Sequence, residues 1–106
     1  MVLTIDVGNS NIVIGVYDMD QLKFISRVAS EQNRTADETA VLLKSVLSIH
    51  DIKIHLIDGA IISSVVPLIT EPLAMAIKLL IGRKPLIVGP GMKTGINIGI
   101  DNPAQL

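Results

Sequence analysis

The sequence has 106 residues, enough for one domain that buries roughly two thirds of its unfolded surface, so a single hydrophobic core is expected. Apolar residues make up 49% of the chain but aromatics only 2%, which leaves Ile, Leu, Val and Ala to build the core, with Tyr17 and Phe24 as its only rings. Nine basic and ten acidic residues are spread along the chain for a net charge of −1, without the clustering of a phosphate-backbone reader, and no direct nucleic-acid ligand is expected.

Val2 to Val7 and Ile12 to Tyr17 are rich in β-branched residues and are separated by Gly8-Asn9-Ser10-Asn11, a pattern that predicts two strands joined by a hairpin turn. Asp18-Met19-Asp20-Gln21 turns the chain again. Leu22, Phe24, Ser26 and Val28 then alternate with Lys23, Ile25 and Arg27, predicting a third antiparallel strand with one partly polar face. Thr35-Ala36-Asp37-Glu38 has the spacing of a capping box, so a helix is expected to start there. Leu42, Leu43, Val46, Leu47 and Ile49 form its apolar stripe, and it should end near His50-Asp51.

Ala60 to Val66 is a nearly continuous apolar run of strand length, expected to be buried on both faces and stopped by Pro67. Thr70-Glu71-Pro72 is read as the opening of a second helix that runs to about Ile81, with Gly82 terminating it in the left-handed conformation. Leu86-Ile87-Val88 is a last short strand. The order βββαβαβ predicts an α/β layer architecture, in which a meander is extended by βα units that add parallel strands to the same mixed sheet.

From Gly89 the stretch is too rich in glycine for a good strand and too irregular for a helix, and a functional loop is expected. Asn102-Pro103 has the cap signature of a third helix with barely one turn before Leu106, so the domain is expected to continue past this end. Absence of cysteine excludes disulfides and thiolate metal sites, and His50 and His55 lack metal-ligand neighbours; both are read as surface residues after the helix. No basic leader precedes the first apolar stretch and no run approaches the length of a membrane span, so a cytoplasmic protein with no membrane partner is expected. A mean hydropathy of +0.56 is high for a small soluble chain and predicts apolar surface that meets a partner.

Chemistry is best sought in the first turn. Gly8 lets backbone amides approach an anion, and Asn9, Ser10 and Asn11 add neutral donors around the same point. Asp6, at the end of the first strand, suits Mg²⁺ held through water rather than direct contact with phosphate oxygens. On spacing alone a plain hairpin with an Asn-rich turn fits these residues equally well.

Asp6-Val7-Gly8-Asn9-Ser10-Asn11 resembles the signature Asp-x-Gly-Asn-Thr of the type III pantothenate kinase, or Bvg accessory factor, family. Four further stretches resemble that family in the same order: Asn33 to Glu38, Ile62 to Pro67, Val88 to Gly95, and Asp101-Asn102-Pro103. The resemblance implies an actin-like domain of the ribonuclease H-like superfamily that includes acetate and sugar kinases, Hsp70 and actin. It implies ATP-dependent phosphorylation of pantothenate, the first step of coenzyme A synthesis, with residues 1–106 as the N-terminal phosphate-binding domain and a second domain to follow.

Carried over position by position, the resemblance makes Asp6, Val7, Gly8, Asn9, Ser10, Asn11, Ile12 and Val13 the ATP phosphate loop, with Mg²⁺ at Asp6; Ser10 replaces the usual Thr and keeps the hydroxyl. The general base belongs to a Gly-Ala-Asp-Arg motif that the family carries a few residues beyond Asn-Pro, past Leu106, so no catalytic residue is assigned and the chain alone is expected to be inactive. Toward pantothenate, Gly95 and Ile100 are the positions carried over, and Ile100 stands where the family commonly has a Tyr that lines the pocket. The family further implies a homodimer and a monovalent cation, K⁺ or NH₄⁺, whose site lies in the second domain.

Other motifs have plainer readings. Thr35, Asp37 and Glu38 are accounted for by capping, and Lys93 by a solvated loop. Ser63 and Ser64 are divided between satisfied core hydroxyls and donors that line the cleft, and Gly89 to Gly95 is read as a substrate-covering loop. Two alternatives to a kinase remain at this point: a regulatory protein of the Bvg accessory type acting through a protein or metabolite, and a half-subunit completed by another chain.

Overall fold

Alternation of side chains sets the architecture from the first strand, β1 (Val2–Val7): Leu3, Ile5 and Val7 are buried on one face, while Val2, Thr4 and Asp6 point to the other. The structure, a computed structural model, describes residues 1–89. Next come β2 (Asn11–Asp18), β3 (Gln21–Ala29), helix α1 (Ala36–Ile49), a 3₁₀ turn at Ile54–Leu56, β4 (Gly59–Ser64), helix α2 (Pro67–Ile81) and β5 (Leu86–Val88). The five strands form one sheet in the order β3-β2-β1-β4-β5, antiparallel between β1 and β2 and between β2 and β3, and parallel where β4 joins β1 and β5 joins β4. The expected meander followed by parallel additions is therefore the fold observed.

Cross-strand pairing carries the alternation through the sheet. Ile5 stands beside Ile14 and Ile62, and all three are essentially inaccessible. With Leu3, Val7, Val16, Leu43, Leu47, Leu73 and Ile77 they form one core between the sheet and the two helices. Fully burying each such aliphatic side chain contributes about 1.5–3 kcal/mol.

Four expectations are corrected. Ile49 is 74% exposed, because the stripe of α1 that meets the core runs through Thr39, Leu43, Val46 and Leu47. Leu22 faces away from the helices: a bulge opposite Val16/Tyr17 pairs it with Tyr17, in the outer row. β4 is buried on the helix side at Ala60 and Ile62, but Ile61 and Ser63 are only half-buried, since among the described residues no element covers the outer face of the sheet.

The fourth correction is the start of α2, which begins at Pro67 and not at Thr70. Val66 is the N-cap, and Pro67 brings a fixed φ to a position whose N–H has no helical partner. Pro72 is then inside the helix, where it forgoes a bond to the Leu68 carbonyl. At the first turn both the N–H and the hydroxyl of Thr70 donate to the Val66 carbonyl, at 3.2 and 3.1 Å.

The start of β1 is tied to the segment before β4. The Met1 ammonium donates to the Leu56 carbonyl at 2.9 Å and to the Asp58 carboxylate at 2.7 Å. This hydrogen bond, aided by the charge of the same ammonium, holds the Asp58 carboxyl below its ordinary range.

Candidate functional site

At the C-terminal end of β1, in the middle of the sheet, Asp6 lies between Val13 of β2 and Ser63 of β4 in register. Its side chain projects from the outer face, exposed, and its carboxylate makes no hydrogen bond or ion pair among the described residues. Ser63 shares that face and its hydroxyl has no partner among the described residues either. Ser64 points the other way and is satisfied locally: its hydroxyl accepts from the Val66 N–H at 3.0 Å and donates to the Val66 carbonyl at 3.2 Å. The alternatives held for the two serines thus separate, one a structural hydroxyl and the other beside Asp6.

Val7 and Ile12 close the hairpin as a buried pair under the helices, anchoring both ends of the turn in the core. Between them, Gly8 donates to the Asn11 carbonyl at 2.9 Å. The Gly8 carbonyl accepts the Ser30 hydroxyl at 2.7 Å, and the Ser10 carbonyl accepts the Ser30 N–H at 2.9 Å. Val65 N–H takes up the Val7 carbonyl at 3.1 Å. Four carbonyls around the turn are thereby held by the protein, whereas the Asn9 and Ser10 amides have no partner among the described residues. Asn9, Ser10 and Asn11 are all exposed, and Val13 is half-buried on the outer face.

The hairpin itself makes no conformational demand for glycine at position 8. The φ of Gly8 is outside the left-handed region, as are those of Asn9 and Ser10, and a Cβ at position 8 would meet only the Asn11 carbonyl oxygen, at 3.4 Å. What this arrangement can do chemically is present unpaired amides and neutral side chains to an anion, next to a free carboxylate that cannot itself touch that anion.

Among the described residues no three His, Cys, Asp or Glu side chains converge on one point, so a caged metal is not supported there. A single exposed carboxylate does fit Mg²⁺, which keeps several waters and takes its remaining ligands from substrate phosphates. Thr35 and Glu38 are occupied by capping as read: Glu38 N–H donates to Thr35 Oγ1 at 3.1 Å, and Thr35 N–H to Glu38 Oε1 at 2.8 Å, with Asp37 in the first turn of the helix. His50 is exposed but stacks face to face on Phe24 with ring centroids 4.2 Å apart. Lys93, Gly95, Ile100 and the Asp101-Asn102-Pro103 stretch lie outside the described residues. Ser30 was missed by sequence reasoning; a lone serine after a strand carries no signal until the strands are paired.

Comparison with known proteins agrees with this geometry at the level of fold and family. The chain is similar to the ROK hexokinase from Thermus thermophilus in structure, with a TM-score of 0.61 over 83% of this chain and 34% of that one at 13% identity, a likeness of fold. Its sequence is 45% identical to a type III pantothenate kinase from Geobacillus sp. (strain WCH70), over all of this chain and 41% of that protein. It is 41% identical to type III pantothenate kinases from Exiguobacterium sibiricum and Moorella thermoacetica, over all of this chain and 42% of each. The chain therefore spans about 42% of the length of these curated relatives. The model of the family described as type III pantothenate kinase matches residues 2–106, and the chain belongs to that family.

Proposed function

We propose that residues 6–13 form the turn that binds the phosphates of ATP, and that the chain is the N-terminal, phosphate-binding part of an enzyme that transfers the γ-phosphoryl group of ATP to a hydroxyl of pantothenate. The observation that carries this reading is the polarity of the turn: the Val7, Gly8, Ser10 and Asn11 carbonyls are bonded to the protein, while among the described residues the Asn9 and Ser10 amides and the Asp6 carboxylate have no partner. Backbone amides supply fixed positive potential without the cost of ordering long side chains, which suits a triphosphate. Asp6 would hold Mg²⁺ through water, and the ion would neutralise charge on the phosphates. Ser63, beside Asp6 on the outer face, would exchange hydrogen bonds with that hydration shell, a role its register next to Asp6 supports.

Family membership supports ATP, pantothenate and an actin-like fold for the longer protein. A second domain that completes the cleft, a homodimer, a monovalent cation and a cytoplasmic location belong to the same proposal, and none of the described residues is assigned to them. Among the described residues no helix is long and apolar enough to cross a membrane. Transfer requires the nucleotide clamped and the acceptor hydroxyl aligned, and half a cleft does not meet both conditions, so the 106-residue chain alone should release no ADP in response to pantothenate.

The test is a titration of the 106-residue chain with Mg-ATP, followed by amide NMR shifts. Shifts centred on residues 6 to 13 are expected. Asp6→Asn should weaken binding of Mg-ATP but leave ATP in the absence of magnesium unchanged; an unchanged Mg-ATP affinity would remove Asp6 from the metal role.

A further inference from the structure

Ser30 is the residue immediately after β3, two strands away from β1, yet it makes two hydrogen bonds to the first turn. Its hydroxyl donates to the Gly8 carbonyl at 2.7 Å, across a separation of 22 residues, and its N–H donates to the Ser10 carbonyl at 2.9 Å. These two carbonyls flank the Asn9 peptide. Fixing the Gly8 carbonyl fixes the plane of the Gly8–Asn9 peptide and with it the direction of the Asn9 N–H, because each peptide unit is rigid and a carbonyl turned one way sends its N–H the other.

The consequence is electrostatic. A carbonyl oxygen directed at a triphosphate repels it, so a turn free to rotate would present a mixture of donors and acceptors. With Ser30 in place, the Gly8 and Ser10 carbonyls are both engaged by the protein, and the Asn9 and Ser10 amides have no partner among the described residues. The Asn11 carbonyl is removed by the Gly8 N–H in the same way. The backbone bond from Ser30 survives any side-chain change, so the hydroxyl tunes the turn rather than creating it.

We infer that Ser30 is a positioning residue for phosphate binding: it touches no nucleotide itself but sets the orientation of the Asn9 amide through the Gly8 carbonyl. This inference rests on the reading of residues 6–13 as the ATP turn. It extends the site to the junction between β3 and α1, a segment that contributes none of the residues of the consecutive motif.

The experiment compares the 106-residue chain with Ser30→Ala and Ser30→Thr, each titrated with Mg-ATP and followed at the Asn9 and Ser10 amides, with urea unfolding run in parallel. Loss of one neutral hydrogen bond should weaken Mg-ATP about three- to tenfold in Ser30→Ala. Ser30→Thr, which keeps the hydroxyl, should bind within about twofold of the parent chain, on the same scale of one retained hydrogen bond. A purely structural role would lower the unfolding midpoint of Ser30→Ala while its folded fraction bound Mg-ATP as the parent does, and that result overturns the inference. So does a Ser30→Thr variant as weak as Ser30→Ala. If the parent chain itself shows no shift at the turn with Mg-ATP, the phosphate reading fails and the role of Ser30 fails with it.

Discussion

Gly8 and Ser30 occupy the same few ångströms of the molecule but reached it by different routes, and the contrast says what a residue can and cannot reveal by itself. Gly8 belongs to six consecutive residues, Asp6 to Asn11, whose types suit an anion next to a carboxylate, and the turn stands where the sequence puts it. Ser30 acquires its role from the register that sets Asn11 opposite Ala29 and brings residue 30 against the turn. No local pattern encodes a contact across 22 positions. Gly8 also offers a clean separation of fold from function. Its φ needs no glycine, and a methyl group there would meet only one carbonyl oxygen, at 3.4 Å. Gly8→Ala should therefore change stability by no more than about 0.5 kcal/mol, as at sites without core or strained-backbone roles. Mg-ATP affinity should nevertheless fall, because the methyl group occupies space by which a phosphate reaches the amides. A urea curve and a Mg-ATP titration on the same sample decide the matter: a variant that unfolds early and binds normally would show that glycine serves the hairpin.

At the scale of elements, α1 was legible at both ends, though only its start is written in side chains. Thr35 and Glu38 form the capping box, and the far end is a Schellman motif, with Ile52 N–H donating to the Leu47 carbonyl at 2.9 Å and Asp51 N–H to that of Ser48 at 3.0 Å. α2 was placed three residues late because two prolines compete for one rule. Either fits the first turn of a helix, and only the packing of Ile69 into the core selects Pro67. The Schellman motif carries a liability that can be relieved. Asp51 has φ 61°, a left-handed conformation that costs a residue with a Cβ about 1 kcal/mol or more, and its carboxylate sits at the negative end of the helix. Asp51→Gly should stabilise the chain by about 1 kcal/mol, the gain being trimmed by the greater freedom of glycine in the unfolded state. The expected signature is a higher urea midpoint with an unchanged slope. A midpoint that stays put would mean that the Asp51 side chain supports the turn in a way its exposure does not suggest.

For the whole molecule, the layer order βββαβαβ followed from apolar periodicity, and the expectation that apolar surface would be left over followed from the mean hydropathy. Periodicity did not reveal which surface, because that depends on where the helices land. Both land on one face. The other carries Val2, Val13, Tyr17 and Ile61 half-buried, with Leu22 at 42%, Ile25 at 55% and Leu86 at 48% exposure, and Asp6 at its upper edge. An apolar sheet face open to water favours association and dye binding, and β3 lies at one edge of it among the described residues. The 106-residue chain should accordingly bind a hydrophobic dye and sediment as larger species when concentrated. Ile25→Lys is the informative variant. Ile25 lies over Gly15, where its Cγ1 is 3.7 Å from the position of a Cβ, and the methylene stem of lysine keeps that cover while its ammonium reaches water. Dye binding and association should both decrease, with a change in unfolding free energy of no more than about 1 kcal/mol, the scale of exposed strand substitutions. If the parent chain is monomeric at every concentration and binds no dye, the outer face is not the sticky surface that its residues describe. If association persists undiminished in Ile25→Lys, it belongs to the helix side, where Leu68, Met75 and Leu79 are also exposed along α2.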